Sequence, residues 1–351
     1  MELLRELYSI HSPSGSERKM KKFVKRYVAS IVPDAVITND GAGNLYIVKG
    51  KSETYPCIAA HLDQVQKTHS KDFTVMQCGD RIFGYSPSRG TTEGLGADDK
   101  NGIWIALKCL ECFDALKVAF FVGEEVGCVG SSRADLSFFK DCRFIIEPDR
   151  KGGRDFIQSM SCTRVCSDEF AYDADFQSFG YDLAEGLLTD VLTLVEDGVG
   201  ISCCNLSCGY YRPHTDEEST SWSELNNALE LVKSIITKCT KVYPHEYTFS
   251  YGHYGKFDSW YDSSDWKLPN SWKLNDGLGD DENDDDGWNK YRHPFEECKL
   301  SDYYSVEDLI ECAIYFNPEY AMSEVYDHLR SDLDTVGMTE TEFYQIARQW
   351  Y

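Results

Sequence analysis

The chain has 351 residues, 59 of them acidic and 35 basic, for a formal net charge of −24. That length is ample for a buried core in one large domain or two modest ones, and 42% hydrophobic with 27% charged residues is ordinary for a soluble globular protein. The acidity argues against a nucleic-acid binder, which needs a basic face, and equally against an anionic membrane surface. No run of 18 or more apolar residues is present, so nothing reads as a bilayer span. The N-terminus, Met1-Glu2-Leu3-Leu4-Arg5-Glu6-Leu7, is amphipathic and has neither a secretory apolar region nor a small-residue cleavage site. Fourteen cysteines in that context read as reduced thiols, and the expected compartment is the cytoplasm.

Helical spacing occupies residues 2–10 and 15–30, with Ser14 or Ser16 as candidate N-cap of the second helix. Short β-rich runs follow at Ala35–Thr38, Asn44–Val48 and Cys57–His61. Residues 98–113 read as a helix, Val118–Val122 as a buried strand and Arg143–Ile146 as another. Asp155–Met160 and Val199–Asn205 are further expected strands, and Glu217–Lys238 a long helix. Buried strands alternating with helices predict an α/β sandwich of three layers around a mixed, mostly parallel sheet. Cys109-x-x-Cys112 lacks the other half of a zinc ribbon, and Cys203, Cys204 and Cys208 lie in an apolar stretch. All five read as core or surface thiols rather than ligands.

Charge divides the chain. Residues 246–351 hold 24 acidic and 8 basic side chains, whereas residues 1–245 hold 35 and 27. Residues 1–245 therefore read as the α/β domain, 246–302 as an acidic Trp- and Tyr-rich segment, and 303–351 as a small helical region. Trp260, Trp266 and Trp272 recur every six residues, and residues 280–286 contain six acids. Three readings of this extension stand side by side: a solvated appendage, a folded cover or oligomer contact, and a calcium loop at Glu282–Gly287. The loop has Glu282 and His293 where the calcium pattern wants Asp and Glu.

Chemistry-bearing residues fall just after the apolar runs. His61-Leu62-Asp63 closes one strand, and the two-residue spacing lets both side chains share a face. Gly96-Ala97-Asp98-Asp99-Lys100 opens a helix, where one acid can cap while the other faces a cation. Glu124-Glu125 leaves the strand Val118–Val122, and two adjacent carboxylates there need a cation or a shared proton. Glu147-Pro148-Asp149 and Pro213-His214 complete the set. Read singly, each has a bland alternative as a cap, a solvated turn or a chance pairing. Ligands of open α/β sheets sit outside the carboxyl ends of strands, so the groups converge on one edge. Two histidines with several carboxylates suit Zn²⁺, or Co²⁺ and Mn²⁺ in a tolerant site.

In order and spacing these phrases, together with His11-Ser12-Pro13-Ser14-Gly15, resemble the co-catalytic di-zinc exopeptidases: peptidase T, the glutamyl and tetrahedral aminopeptidases, and the secreted bacterial leucyl aminopeptidases. The resemblance covers roughly residues 1–240. It implies two divalent metal ions, one held by His61 and Asp149, the other by Glu125 and His214, with Asp98 bridging them. Asp63 would orient His61, and Glu124 would be the general base for a water activated by the two metals. Glu147 rivals Asp149 as a ligand. Asp149 is preferred because it stands before a glycine pair, as in the family.

Two departures bear on activity. Only 64 residues separate Asp149 from His214, and only 36 separate His61 from Asp98, too few for the lid or β-domain that lid-bearing relatives insert. A bare catalytic domain lacks lid groups for a substrate carboxylate, which tilts the reading towards an aminopeptidase acting on peptides. The alternatives are a di-metal dipeptidase or N-acyl-amino-acid amidohydrolase, and a metal-free binding protein on the same fold. Related enzymes are often dimers or larger, so a homo-oligomer is within what the resemblance implies.

Overall fold

The computed structural model describes residues 1–160, 163–249, 310, 322–335 and 338–347. The chain divides into two compact units, Met1–Ser250 and Tyr251–Tyr351. In the first, two helices, α1 (Glu2–Tyr8) and α2 (Arg18–Ile31), precede strands β1 (Val36–Asn39), β2 (Leu45–Lys49) and β3 (Tyr55–His61). Every residue of β3 is buried, as expected of an apolar run with no polar alternation. After it come β4 (Thr74–Cys78), β5 (Arg81–Ser86), β6 (Thr91–Glu93), helix α3 (Ala97–Cys112), β7 (Leu116–Phe121) and β8 (Cys142–Arg150). The remainder is β9 (Asp155–Met160), β10 (Thr163–Arg164), α4 (Asp168–Ala174), β11 (Asp182–Gly186), α5 (Asp190–Glu196), β12 (Cys203–Ser207), β13 (Tyr210–Tyr211), β14 (Ser219–Ser221), α6 (Trp222–Lys238) and β15 (Thr248–Phe249).

The main sheet runs β1-β2-β7-β3-β8-β12-β9-β10-β15, with β11 also paired to β9. Its centre is parallel: β3 pairs in parallel with β7 and β8, and β12 with β8. Antiparallel strands extend it on both flanks. The side-chain period of two sorts the central strands onto two cores. Ile58, Ala60, Val118, Phe120 and Ile146 face a core shared with α3, and Ala59, Ala119, Phe121 and Ile145 face one shared with α5. Helix α3 is buried from Ala97 to Leu107, because the sheet covers one side and α1, α2 and α6 cover the other. This is the three-layer α/β sandwich with a mixed sheet that the alternation of elements predicts.

Three local expectations are corrected. The long helix begins at Trp222 rather than Glu217, because Ser219–Ser221 pairs with Phe83–Arg81 of β5 as a strand. The Ser221 hydroxyl then caps α6 by accepting the Glu224 N–H. Neither Ser14 nor Ser16 caps α2; its N-cap is Glu17, and the Ser14 hydroxyl is spent on Asp63. The strand expected at 199–205 starts at Cys203, since Gly198 and Gly200 hold positive φ angles of 82° and 77° in the turn before it. Between His61 and Asp98, β4, β5 and β6 join β14 and β13 in a second, five-stranded sheet.

In the second unit, α7 (Met322–Thr335) and α8 (Glu340–Ala347) are described. Val325, Leu329 and Leu333 of α7 form a small core with Phe343, Ala347 and Ile310. The tryptophan repeat, the acidic run at 280–286 and the calcium-loop reading lie outside the described residues. Among the described residues no helix is long and apolar enough to cross a membrane.

The main sheet sets a stability expectation. Phe120 is fully buried between strands and α3, so Phe120→Ala removes a large side chain that its neighbours cannot replace. Urea unfolding should show a loss of about 3–5 kcal/mol. A loss below about 1 kcal/mol would place Phe120 at a site able to collapse, contrary to this packing.

Candidate metal centre

Because β3, β7 and β8 run in parallel, their carboxyl ends lie on one edge of the sheet. His61, the last residue of β3, is fully buried there. Its Nε2 lies 2.9 Å from Asp98 Oδ1, 3.6 Å from Asp149 Oδ2 and 3.9 Å from Glu124 Oε2. His214 Nε2 lies 2.9 Å from Glu125 Oε2 and 3.4 Å from Asp98 Oδ2. Asp98 thus shows one oxygen to each histidine. Two groups result, His61–Asp98–Asp149 and Asp98–Glu125–His214, and in each the candidate ligand atoms lie within 4.8 Å of one another.

Local backbone explains how each side chain arrives. Gly96, at φ +65°, turns the chain into α3, and the peptide between Asp98 and Asp99 is cis. Asp99 points away from Asp98's partners: its Oδ1 accepts the Gly102 N–H at 2.8 Å and its Oδ2 the His61 N–H at 3.2 Å. One acid of the pair caps the helix while the other faces the histidines. Glu124 and Glu125 occupy a single 3-10 turn between Gly123 and Gly127, both with positive φ. Asp63 holds that turn, with Oδ1 accepting the Glu124 N–H at 3.1 Å and Oδ2 the Glu125 N–H at 3.3 Å. Its Oδ1 also sits 3.5 Å from His61 Nδ1, and its Oδ2 accepts the Ser14 hydroxyl at 2.8 Å. His214 lies in the loop after β13 with φ +64°, a left-handed conformation costly for a residue with a Cβ.

Glu147 and Asp149 part company on β8. Opposite β12, the register advances three residues on β8, from Glu147 to Arg150, against two on its partner, from Asn205 to Ser207. The extra residue sends the two acids to different places. Glu147 accepts the Thr189 hydroxyl and, at 3.4 Å, the Val191 N–H beside α5. Asp149 turns Oδ2 to His61 and accepts the Tyr210 hydroxyl on Oδ1 at 3.2 Å.

Carboxylates outnumber cations in this volume. Burial opposes charge on His61, but Asp149, Asp63, Asp98 and Glu124 outweigh it and hold the ring well above the ordinary histidine range. His214 is raised in the same way, with Glu125 and Asp98 overcoming burial. Burial pushes Asp149 well up, and Asp98 and Asp99 add to it. Glu124 is also pushed well up, by burial and by Glu125. Asp98 goes down, because burial is outweighed by its hydrogen bonds to His214 and His61, and Asp63 goes down too, where His61 and the Ser14 hydroxyl outweigh burial. Glu125 Oε1 is buried and has no hydrogen-bond partner among the described residues. Buried carboxylates that two imidazoles cannot neutralise, with one oxygen left unpaired, are the environment a divalent cation relieves. The donor set of imidazole and carboxylate therefore fits two such ions.

Several supporting residues escape a reading of motifs. Ser14 passes for a helix cap, and Glu218 falls within the expected helix although it is buried in a turn. Lys100 follows the acid pair and is buried. Its ammonium donates to Gln64 Oε1 at 2.5 Å, and burial pulls it down to about 7. Cys109, Cys203, Cys204 and Cys208 are buried free thiols and Cys112 an exposed one. None of these belongs to a described ligand group.

No protein-family model matches the chain. A protein of Pyrobaculum aerophilum named as a LysW-lysine/LysW-ornithine hydrolase is 39% identical over 64 residues, so the chain matches only 18% of the length of that curated relative. Solved structures give longer likenesses. The aminopeptidase PepT of Bacillus cereus ATCC 10987 aligns with 68% of this chain and 97% of its own, at 15% identity and a TM-score of 0.57. A tripeptidase of Staphylococcus aureus aligns over 68% and 97%, at 15% identity and a TM-score of 0.55. The aminopeptidase APDkam598 of Desulfurococcus kamchatkensis aligns over 67% and 93%, at 19% identity and a TM-score of 0.54. The chain therefore has the fold of the exopeptidases whose motifs it resembles.

The bond from Ser14 to Asp63 separates the observed role of this serine from the capping role expected of it. Ser14→Ala should lower the unfolding free energy of the metal-free protein by about 1–2 kcal/mol in urea. Ser16→Ala, at an exposed position, should stay within about 0.5 kcal/mol. The reverse ranking would restore Ser16 as the cap.

Proposed function

We propose that the chain is a metal-dependent exopeptidase, and that its preferred activity is release of the N-terminal residue of a peptide. The observation carrying this reading is the pair of imidazole–carboxylate groups that share Asp98. In the proposed roles His61 and Asp149 hold one divalent ion, Glu125 and His214 the other, and Asp98 both. Zinc is the first candidate, with cobalt or manganese alternatives. Bound there, the ions supply Lewis acidity, making water a nucleophile near neutral pH and stabilising negative charge on the substrate carbonyl oxygen.

The protein's own groups do the rest. Glu124 lies 3.9 Å from His61 Nε2, with its backbone N–H tied to Asp63. Held at that distance, its carboxylate takes a proton from the attacking water and delivers it to the leaving amine. Asp63 is a positioning residue, since the His61 ring and the Glu124–Glu125 turn both rest on it. The preference for a peptide's amino end rests on the short spans between the motifs: 36 residues between His61 and Asp98 and 64 between Asp149 and His214 leave no room for an inserted lid with groups for a substrate carboxylate. A second reading, hydrolysis of the amide of an acylated amino acid, is favoured by the short match to the hydrolase from Pyrobaculum aerophilum.

Elemental analysis of the purified protein should find close to two divalent ions per chain, and fewer in Glu125→Ala. No metal after reconstitution with zinc, cobalt or manganese would sink the enzyme reading and leave a binding protein on this fold. Glu124→Gln should keep its metal and lose turnover of aminoacyl substrates by about 10²–10⁴-fold. An unchanged rate would remove Glu124 as the base. Comparing free peptides with their N-acylated forms separates the two readings: the first requires a free amine and the second does not.

A further inference from the structure

Glu218 stands four residues beyond His214, in the turn leading to β14, and is buried. Its carboxylate reaches back across the chain to the loop that delivers Asp98. Oε2 accepts the Gly96 N–H at 2.6 Å, and Oε1 accepts the Asp98 N–H at 3.1 Å. Oε2 also accepts the Gln66 side-chain amide at 3.2 Å. Asp216 adds a third tie to the same loop, accepting the Gly94 N–H at 3.1 Å. The segment carrying His214 is thereby fastened to the segment carrying Asp98.

Beneath the loop the fastening is closed by a chain of side chains. The Lys100 ammonium donates to Gln64 Oε1, and the Gln64 amide donates to Gln66 Oε1 at 3.0 Å. Space there is fully used, since a Cβ on Gly96 would meet Lys100 Nζ at 2.8 Å and Gln64 Cδ at 2.9 Å. A carboxylate is costly to bury unless donors satisfy it, and backbone N–H groups directed at a carboxylate are among the stronger hydrogen bonds. Glu218 is buried where the His214 segment meets the loop that delivers Asp98.

We propose that Glu218 is a positioning residue for the pair of ions: by binding the backbone of Asp98 from the His214 segment, it sets the distance over which Asp98 can serve both groups at once. The proposal rests on the two-ion reading of the site. Without Glu218, the Asp98 loop and the His214 turn shift independently, so one group keeps its ligands only at the expense of the other.

Cobalt titration of metal-free protein tests this, with binding followed by equilibrium dialysis and by the visible absorption of Co²⁺. The variants are Glu218→Ala, Glu218→Gln and the exposed neighbour control Glu217→Gln, and the unfolding midpoint of each metal-free form is measured alongside. Wild type and Glu217→Gln should bind two ions. Glu218→Ala should bind the second ion about 10–100-fold more weakly, with an altered cobalt spectrum. Glu218→Gln, which keeps an oxygen of the same shape facing one N–H, should fall between them. Variants that bind both ions with wild-type affinity and spectrum overturn the proposal, even where their unfolding midpoint drops, because that pattern belongs to a merely structural residue. Absence of cobalt binding by wild type would overturn the two-ion reading itself, and this proposal with it.

Discussion

Repulsion among buried carboxylates is the constraint around which this molecule is organised. Asp98, Glu124, Glu125 and Asp149 are crowded at the carboxyl edge of a parallel sheet, where burial alone already disfavours their charge. Two imidazoles offset part of that cost, and backbone N–H groups fix the carboxylates that face away. Asp63 and Asp99 are the clearest cases. Each is an acid next to or near a candidate ligand, and each accepts main-chain N–H groups, Asp63 from Glu124 and Glu125, Asp99 from Gly102 of its own helix and His61 of β3. Asp98–Asp99 and Glu147–Asp149 therefore divide the work, one member facing the centre and the other holding the scaffold, whereas Glu124 and Glu125 both face the centre.

The architecture makes that division possible. Parallel strands β7, β3 and β8 deliver their ends side by side, so a residue at the end of each strand needs only a short turn to reach the common centre. Positive φ angles at Gly96, Gly123 and Gly127 provide those turns at little steric cost, while His214 adopts the same region with a Cβ. Strain at His214 is tolerated because its loop is pinned at both ends, by β13 before it and by Glu218 and β14 after it.

What could be read from sequence follows the range of the interactions. Apolar runs without alternation marked β3, β7 and β8, and helical spacing marked α1, α2 and α3, because those signals are local. Acids and histidines placed just after such runs were legible for the same reason, and the structure brings His61, Asp98, Glu125, Asp149 and His214 into two adjoining groups. Features that depend on distant partners were not legible. Ser14 looks like a cap until Asp63 claims its hydroxyl. Ser219–Ser221 looks like helix until β5 offers a ladder. Glu147 and Asp149 look equivalent until one extra residue in the β8–β12 register sends them apart. Glu218 carried no motif at all, since its partners are the N–H groups of a loop far away in the chain.

The second sheet carries a consequence in time. Its strands come from both sides of the main fold: β4, β5 and β6 lie early in the chain, whereas β13 and β14 lie more than a hundred residues later. A growing polypeptide can complete β3, α3 and β7 long before β14 exists to pair with β5. Closing so long a loop is entropically slow, and the contacts it secures are of high sequence separation. Asp98 and His214 can therefore acquire their mutual geometry only after β13 and β14 have been made. The acids carried by β3, α3 and β7 can be in place before the second histidine has been made.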